Sequence, residues 1–376
     1  MTTKTLDERL RDLLGPQITE AELLEKFTFE REIGSGATAK VYAAFDHRTG
    51  ERVAIKEFDK AQMIEVRKSI MGDAYASRDT AVTRVQRRLK KVIMELEIAK
   101  SLAHKHIIRY LGGFETSHRI CIIHELVDGR DLLEYVLSFQ KMEETTAAHV
   151  FDQMLRAVHA CHGQDIWHRD LKLENVLISH DYDVKLIDFG LSERTSEKLR
   201  TVCGTPLYCS PELLFLPTNT RDIGIDGAPA DVWSAAILLF ALLTGCAPFD
   251  DSSFAALRHD VYRNDICYPS HLSESVQDLF RTILVSDPDA RPTIPDILEH
   301  PWVVENAARH RAKSSAAQLR GLHSVSTTSE TEDSSDEDGS YRDMLYDEAA
   351  DEDDAITLTP SSSSKSLHVD RLHSVG

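Results

Sequence analysis

Two acids, an amide and a lysine fall close together in the middle of the chain. Asp170, Lys172 and Asn175 lie in His168-Arg169-Asp170-Leu171-Lys172-Leu173-Glu174-Asn175, and Asp188 follows in Asp188-Phe189-Gly190. The apolar runs Val176-Leu177-Ile178 and Val184-Lys185-Leu186-Ile187 stand between them, so the polar groups sit on loops that bracket short β-like runs. Such a set could serve phosphoryl transfer. That chemistry needs a carboxylate near an acceptor hydroxyl, a cation on the moving group and hard oxygen ligands for Mg²⁺. Any one of these acids alone would more often be a turn or a helix cap; their order and spacing carry the reading.

The elements that must position them begin at Phe27. Phe27 to Ile33 alternates like a strand, Gly34-Ser35-Gly36 reads as a turn, Val41 to Phe45 resumes the strand, and Val53-Ala54-Ile55-Lys56 makes a third. Glycine at the first hairpin would let backbone N–H groups approach phosphates closely. Further on, Val82, Val85, Leu89, Val92, Ile93 and Leu96 recur at helical spacing, and Ile120 to Val127 reads as a buried strand entering a connector. From Asp131 to Gln164 the pattern is helical through Val150, Met154, Leu155 and Val158.

The full set, His-Arg-Asp-Leu-x-x-x-Asn then Asp-Phe-Gly, preceded by a glycine loop and Val-Ala-Ile-Lys, resembles the eukaryotic protein-kinase family. Among its members the chain looks most like the calcium/calmodulin-dependent and AMP-activated group. The resemblance implies an α+β, two-lobed fold: an antiparallel β-rich N-lobe over about 27–126, carrying a basic insertion at about 59–80, and a mainly helical C-lobe over about 127–304. Residues 1–26 would be an N-terminal extension, where Leu6, Leu10, Leu13 and Leu14 stand at helical spacing. Residues 305–376 would be a disordered tail, basic first and then serine-rich and acidic.

The resemblance also implies roles. ATP would lie among Ile33, Gly34, Ser35, Gly36, Val41 and Ala54, with backbone groups of Glu125 and Val127 on adenine and Asp131 near the ribose. Lys56 would clamp the α- and β-phosphates, oriented by Glu95, with Glu97 the fallback. Asp170 would orient the acceptor hydroxyl, Lys172 would neutralise the transferring group, and Asn175 and Asp188 would hold Mg²⁺. Two positions depart from the family pattern: Ala39 replaces a third loop glycine, and His124 falls at the gatekeeper position. Glu95 lies 39 residues after Lys56, which requires an insertion before or within the helix.

Lys172 and Gly204-Thr205-Pro206-Leu207-Tyr208 look like those of serine/threonine-specific members, and Glu212 of Ser210-Pro211-Glu212 would pair with Arg291. Arg169 beside the base implies control by a phosphate on Thr201, held by Arg169 and Lys91 and added by an upstream kinase. Glu174 and Asp131 match positions that receive arginines upstream of the target residue in basophilic members. The basic segment 309–320 is a candidate for calmodulin binding or for autoinhibition. The alternative from another class is a pseudokinase scaffold. Against it, Lys56, Asp170, Asn175 and Asp188 are all present.

Charge and composition bound the rest. Thirteen acids and one Arg fall within 330–354, so the net charge of −19 is mostly a tail property and gives no reason to expect a nucleic-acid partner. Met1 to Leu14 is too polar for a secretory signal, and Ala235 to Leu243 is too short to span a bilayer. Six cysteines without metal or disulfide spacing fit a reducing compartment, the cytoplasm or nucleus.

Overall fold

The computed structural model describes residues 4–36, 39–64, 78–201, 203–216, 224–324 and 357–358. Two short helices, α1 (Leu6–Leu14) and α2 (Glu20–Lys26), each open with a capping box, Thr5 with Glu8 and Thr19 with Glu22. They lead into β1 (Phe27–Ser35), β2 (Lys40–Asp46) and β3 (Glu51–Asp59), then α3 (Lys60–Ile64) and the long α4 (Arg78–Ser101), followed by β4 (Tyr110–Glu115) and β5 (Arg119–Glu125). The five strands form one antiparallel sheet in the order β1-β2-β3-β5-β4.

Alternation along β3 and β5 sorts this sheet into two faces. Phe58, Ile120 and Ile122 pack with Val92, Ile93 and Leu96 of α4 and Leu10 of α1. Val53, Ile55, Cys121 and Ile123 pack on the other side with Leu23, Phe27 and Phe114. By the same period Lys56 shares the α4 face with Phe58, which is why it can meet a residue of that helix.

The second lobe contains β6 (Gly129–Asp131), α5 (Leu132–Phe139), α6 (Glu144–His162), β7 (Ile166–Trp167), β8 (Val176–Ser179), β9 (Val184–Leu186), β10 (Glu193–Arg194) and β11 (Cys203–Gly204). It continues with α7 (Pro211–Leu214), α8 (Gly227–Thr244), α9 (Phe254–Arg263), α10 (Glu274–Ile283), α11 (Ile294–Leu298) and α12 (Pro301–Ser324). Helix α8 is apolar around its whole circumference and is buried at the centre, with Trp233, Ile237, Leu238 and Leu239 inaccessible. An antiparallel β-rich lobe and a helical lobe make the fold α+β.

Several expectations are corrected. Gly34 and Ser35 belong to β1, paired with Val41 and Lys40, and the turn begins at Gly36, whose N–H reaches the Ala39 carbonyl at 2.8 Å. The helical stretch expected from 131 to 164 is two helices, broken where Gln140 takes a left-handed φ of +68°. The tail does not lose structure at 305. Helix α12 runs on to Ser324, because Trp302, Val303, Asn306, Ala307 and His310 recur at helical spacing and bury one stripe. His310 stacks on His149 of α6 at 4.4 Å. The basic residues Arg309, Arg311 and Lys313 that suggested disorder occupy the other, exposed side. Two residues much further on, β12 (Thr357–Leu358), pair in parallel with Cys203 and Gly204. The remainder of the acidic tail and the middle of the basic insertion, 65–77, lie outside the described residues.

Arg291 fastens the base of the second lobe. Its side chain is fully buried and meets both carboxylate oxygens of Glu212 at 2.6 Å, the Pro229 and Val285 carbonyls at 3.0 Å each, and the face of Trp233 at 5.0 Å. Removing one partner of such a pair leaves an uncompensated charge in the interior. Arg291→Met should therefore lower the unfolding free energy by ~3 kcal/mol, seen as a lower denaturant midpoint. An unchanged midpoint would contradict this role.

Candidate active site

The cleft between the lobes is built around one ammonium. Lys56 Nζ lies 2.5 Å from Glu95 Oε1 and 2.8 Å from Asp188 Oδ1, joining β3, α4 and the loop after β9. Burial alone would discharge this lysine, but the Asp188 and Glu95 carboxylates outweigh it and hold its pKa above the ordinary value. Burial likewise opposes the charge on Asp188; Lys56 and the Gly190 N–H prevail and keep the carboxylate well below its usual range. A methyl on Gly190 would lie 3.1 Å from Asp188 Oδ1 and 3.3 Å from Glu95 Oε2, so this position leaves little room for a side chain. Glu97, the fallback, points elsewhere and pairs with Arg9.

A second cluster surrounds Asp170. Its Oδ1 accepts from the Thr205 hydroxyl at 2.8 Å and the Thr205 N–H at 3.1 Å, while Oδ2 lies 3.0 Å from Lys172 Nζ and 3.1 Å from Asn175 Nδ2. Lys172 also donates to the Thr205 hydroxyl at 3.0 Å. Sequence reading assigned nothing to Thr205 beyond the peptide-binding run, yet its hydroxyl sits on the Asp170 carboxylate.

The loop carrying Asp170 is pinned from below. Asp231, in the second turn of α8, accepts the His168 N–H at 2.9 Å and the Arg169 N–H at 2.8 Å, and meets His162 at 2.9 Å. Arg169 and Asp188 both adopt left-handed backbone, φ +69° and +60°, a conformation that non-glycine residues take only where neighbours enforce it. The carboxylate of Asp231 is the enforcing neighbour for Arg169. In the sequence it is a lone acid in an apolar helix.

Neither Gly34 nor Gly36 has a left-handed φ, and a methyl at either would meet only ordinary contacts at 3.6 to 3.7 Å. The fold therefore does not itself demand these glycines, whereas a close ligand would. Ile33 is half exposed above the cleft, with Ser35 and Val41 beside it on the β1–β2 hairpin, and Ala54 stands opposite His124 across β3 and β5. Glu125 gives its N–H to the Arg109 carbonyl and its carboxylate to Lys185 at 2.6 Å. Val127 packs on the second lobe, and Asp131 caps α5 through the Glu134 N–H at 2.7 Å. Arg169 is salt-bridged to Glu193, a partner not foreseen, and donates to the Thr201 carbonyl and hydroxyl at 2.8 and 2.6 Å. Lys91 is exposed one turn before Glu95.

As a cation site, Asp188 offers a carboxylate kept ionised and half exposed to the cleft, and Asn175, with its amide nitrogen committed to Asp170, offers an amide oxygen. Both are hard oxygen donors and suit a small divalent ion.

With this geometry established, the comparisons identify the class. A family profile described as "Protein kinase domain" matches residues 27–303. The chain is 34% identical over 293 residues to "Maternal embryonic leucine zipper kinase" of Danio rerio, covering 77% of this chain and 39% of that protein. It is 34% identical over 282 residues to "SNF1-related protein kinase catalytic subunit alpha KIN12" of Arabidopsis thaliana, 74% of this chain and 52% of that one. With "CBL-interacting serine/threonine-protein kinase 13" of the same plant it shares 35% over 286 residues, 74% and 51% of the two chains. The chain thus spans about a third to a half of the length of these relatives. It belongs to the protein kinase family.

Two imidazoles, the buried His106 and the partly buried His124, carry a pH dependence. Burial and the Lys56 ammonium push His124 down to about 4, and burial pushes His106 to about 4 against the counter-pull of the Val184 carbonyl. The unfolded chain binds these protons from about pH 6.5, the folded one only near pH 4. Their contribution to stability is therefore complete above pH 6.5 and is lost as the pH falls toward 4. The drop in melting temperature between pH 7 and pH 5 should be smaller in His124→Met than in the unsubstituted protein. An equal drop would contradict the assignment.

Proposed function

We propose that this protein transfers the γ-phosphoryl group of ATP, taken as its Mg²⁺ complex, to serine or threonine side chains of other proteins. The observation that carries the reading is the joint geometry of two neighbouring clusters, Lys56 and Glu95 with Asp188 reaching them across the cleft, and Asp170 with Lys172, Asn175 and Thr205. Lys56 has the position and fixed charge to hold the α- and β-phosphates. Asp170 takes up the acceptor hydroxyl where Thr205 now sits, and Lys172, beside it, stabilises charge on the moving group. Asn175 and Asp188 would hold Mg²⁺, which supplies positive charge to the phosphates when bound. Glycines at 34 and 36 give the hairpin room to close on them, and Glu125 and Val127 lie where the connector can present backbone groups to the base.

Two finer statements belong to the same reading. Substrates carry arginine upstream of the target: one carboxylate oxygen of Glu174 is buried without a hydrogen-bond partner, and burial raises its pKa, an environment that a guanidinium would relieve. Activity rises when an upstream kinase phosphorylates Thr201, because the Arg169 guanidinium already touches that hydroxyl and a phosphate would add nearly two negative charges there. Ser314 in Arg311-Ala312-Lys313-Ser314 is a further arginine-led site, now on α12. Calmodulin would have to displace α12 from α6 to take 309–320. Six free thiols favour the cytoplasm or nucleus.

An arginine-oriented serine/threonine peptide library, read by mass spectrometry, tests this. Phosphate should appear on serine and threonine of arginine-led peptides, and Glu174→Gln should lose the arginine preference while still phosphorylating the other peptides. Thr201→Ala should cut turnover at least ~10-fold, about 1.4 kcal/mol of activation free energy. A Glu174→Gln preference identical to that of the unsubstituted protein would overturn the basophilic assignment, and full activity in Thr201→Ala would overturn the regulatory one. A protein that binds ATP yet phosphorylates nothing would be the scaffold instead.

A further inference from the structure

The N-terminal helix grips the same turn of α4 that carries Glu95, from the opposite side. Glu95 and Glu97 are two residues apart, about 200° around the helix axis. Glu95 points inward to Lys56, while Glu97 points outward and takes both contacts of the Arg9 guanidinium, at 2.7 and 2.8 Å. Leu96, between them, is completely buried with Leu10 of α1, which is itself 2% exposed, and Leu6, Leu13 and Leu14 close the cluster.

Helix α1 is also held where it lands. Thr5 and Glu8 cap its start, and Gly15 ends it at φ +80°. Leu14 rests on Gly113 of β4 so closely that a methyl there would lie 2.6 Å from the leucine. Beyond it, the Ile18 N–H donates to the Glu115 carbonyl at 2.9 Å, Gln17 bonds the Glu115 side chain at 2.8 Å, and Glu20 accepts from the Thr116 hydroxyl at 2.6 Å. The segment 5–20 thus spans from α4 to β4 as an intramolecular tie and cannot be an independent appendage.

We propose that α1 is a positioning element for the nucleotide site: Arg9, acting through Glu97, holds α4 at the depth at which Glu95 reaches Lys56. Loss of the Arg9–Glu97 pair lets α4 move outward, Lys56 loses one of its two carboxylates, and turnover falls although every residue facing the cleft is intact. The chemistry affected is that of the kinase reading above, so one readout must not depend on it.

The test is a charge-reversal cycle on the full chain, with Arg9→Glu, Glu97→Arg and the two combined, each assayed per correctly folded molecule. Each single change should lower kcat roughly five-fold or more, the size of a modest coupling between sites, with little change in KM for the peptide. The combined variant, which restores the pair in reverse, should return to within about two-fold of the starting protein by the same reasoning. Amide hydrogen exchange along 92–99 should accelerate in the single variants and recover in the combined one. That readout tests the clamp even in a protein that transfers no phosphate. A purely structural role for α1 would lower the melting temperature and leave kcat per folded molecule unchanged. That outcome, or exchange that fails to recover in the combined variant, would overturn the proposal.

Discussion

An ammonium enclosed by protein keeps its charge only while carboxylates stand against it, and those facing Lys56 come from two different parts of the fold. Glu95 belongs to a helix of the N-lobe, and Asp188 follows the last strand of a small sheet in the second lobe. The contact therefore reports the relative placement of β3, α4 and the loop at Asp188-Phe189-Gly190 in a single side chain. Lys56 and Glu95 are each costly to bury alone, since burial discourages charge on both, and the half-exposed Asp188 supplies the second carboxylate. Their mutual attraction offsets that cost only at hydrogen-bond distance. A small outward motion of α4 would thus alter both the lysine's position and its electrostatic surroundings, which is why elements far from the cleft, α1 among them, bear on the site.

The second cluster shows the same economy of geometry. Asp170 is fixed by three side chains, and its loop is fixed by Asp231, which satisfies two backbone N–H groups next to a left-handed residue. Arg169 then links this loop to Glu193 and Thr201 on the following segment. The path from Thr201 to Asp170 is therefore short: one hydrogen-bonded guanidinium, one peptide unit, one carboxylate. Gly204 completes it, since at φ +113° a side chain there would press to 2.6 Å from the Arg169 carbonyl. In the reading proposed above, a phosphate on Thr201 would act on Asp170 by this route.

Much of this was legible in the sequence, and what was not has identifiable reasons. The His168–Asn175 run and Asp188-Phe189-Gly190 could be read directly because the groups that meet in space are also neighbours in the chain. The meander at β1 to β3 followed from alternation, and Lys56 from its place in the third strand. Partners separated by long stretches were hidden: Asp231 lies 63 residues from the His168 N–H it binds, and Arg9 lies 88 from Glu97. Helix α12 was missed for another reason. Its basic residues dominate the composition, while the stripe that buries it includes alanine, asparagine and histidine, residues that do not announce a core. Thr205 was passed over because a hydroxyl in a peptide-binding run has no signature of contact with a base.

The measurement that bears most directly on the account is transfer of radiolabel from γ-labelled ATP to a degenerate serine/threonine peptide library, comparing the unsubstituted protein with Asp188→Asn. The substitution keeps the shape of the side chain and removes the charge that faces Lys56 and the cation site. The account predicts labelled serine and threonine with the unsubstituted protein and loss of labelling by orders of magnitude in Asp188→Asn. Nucleotide binding without any labelling by the unsubstituted protein, even when phosphorylated at Thr201, would contradict it.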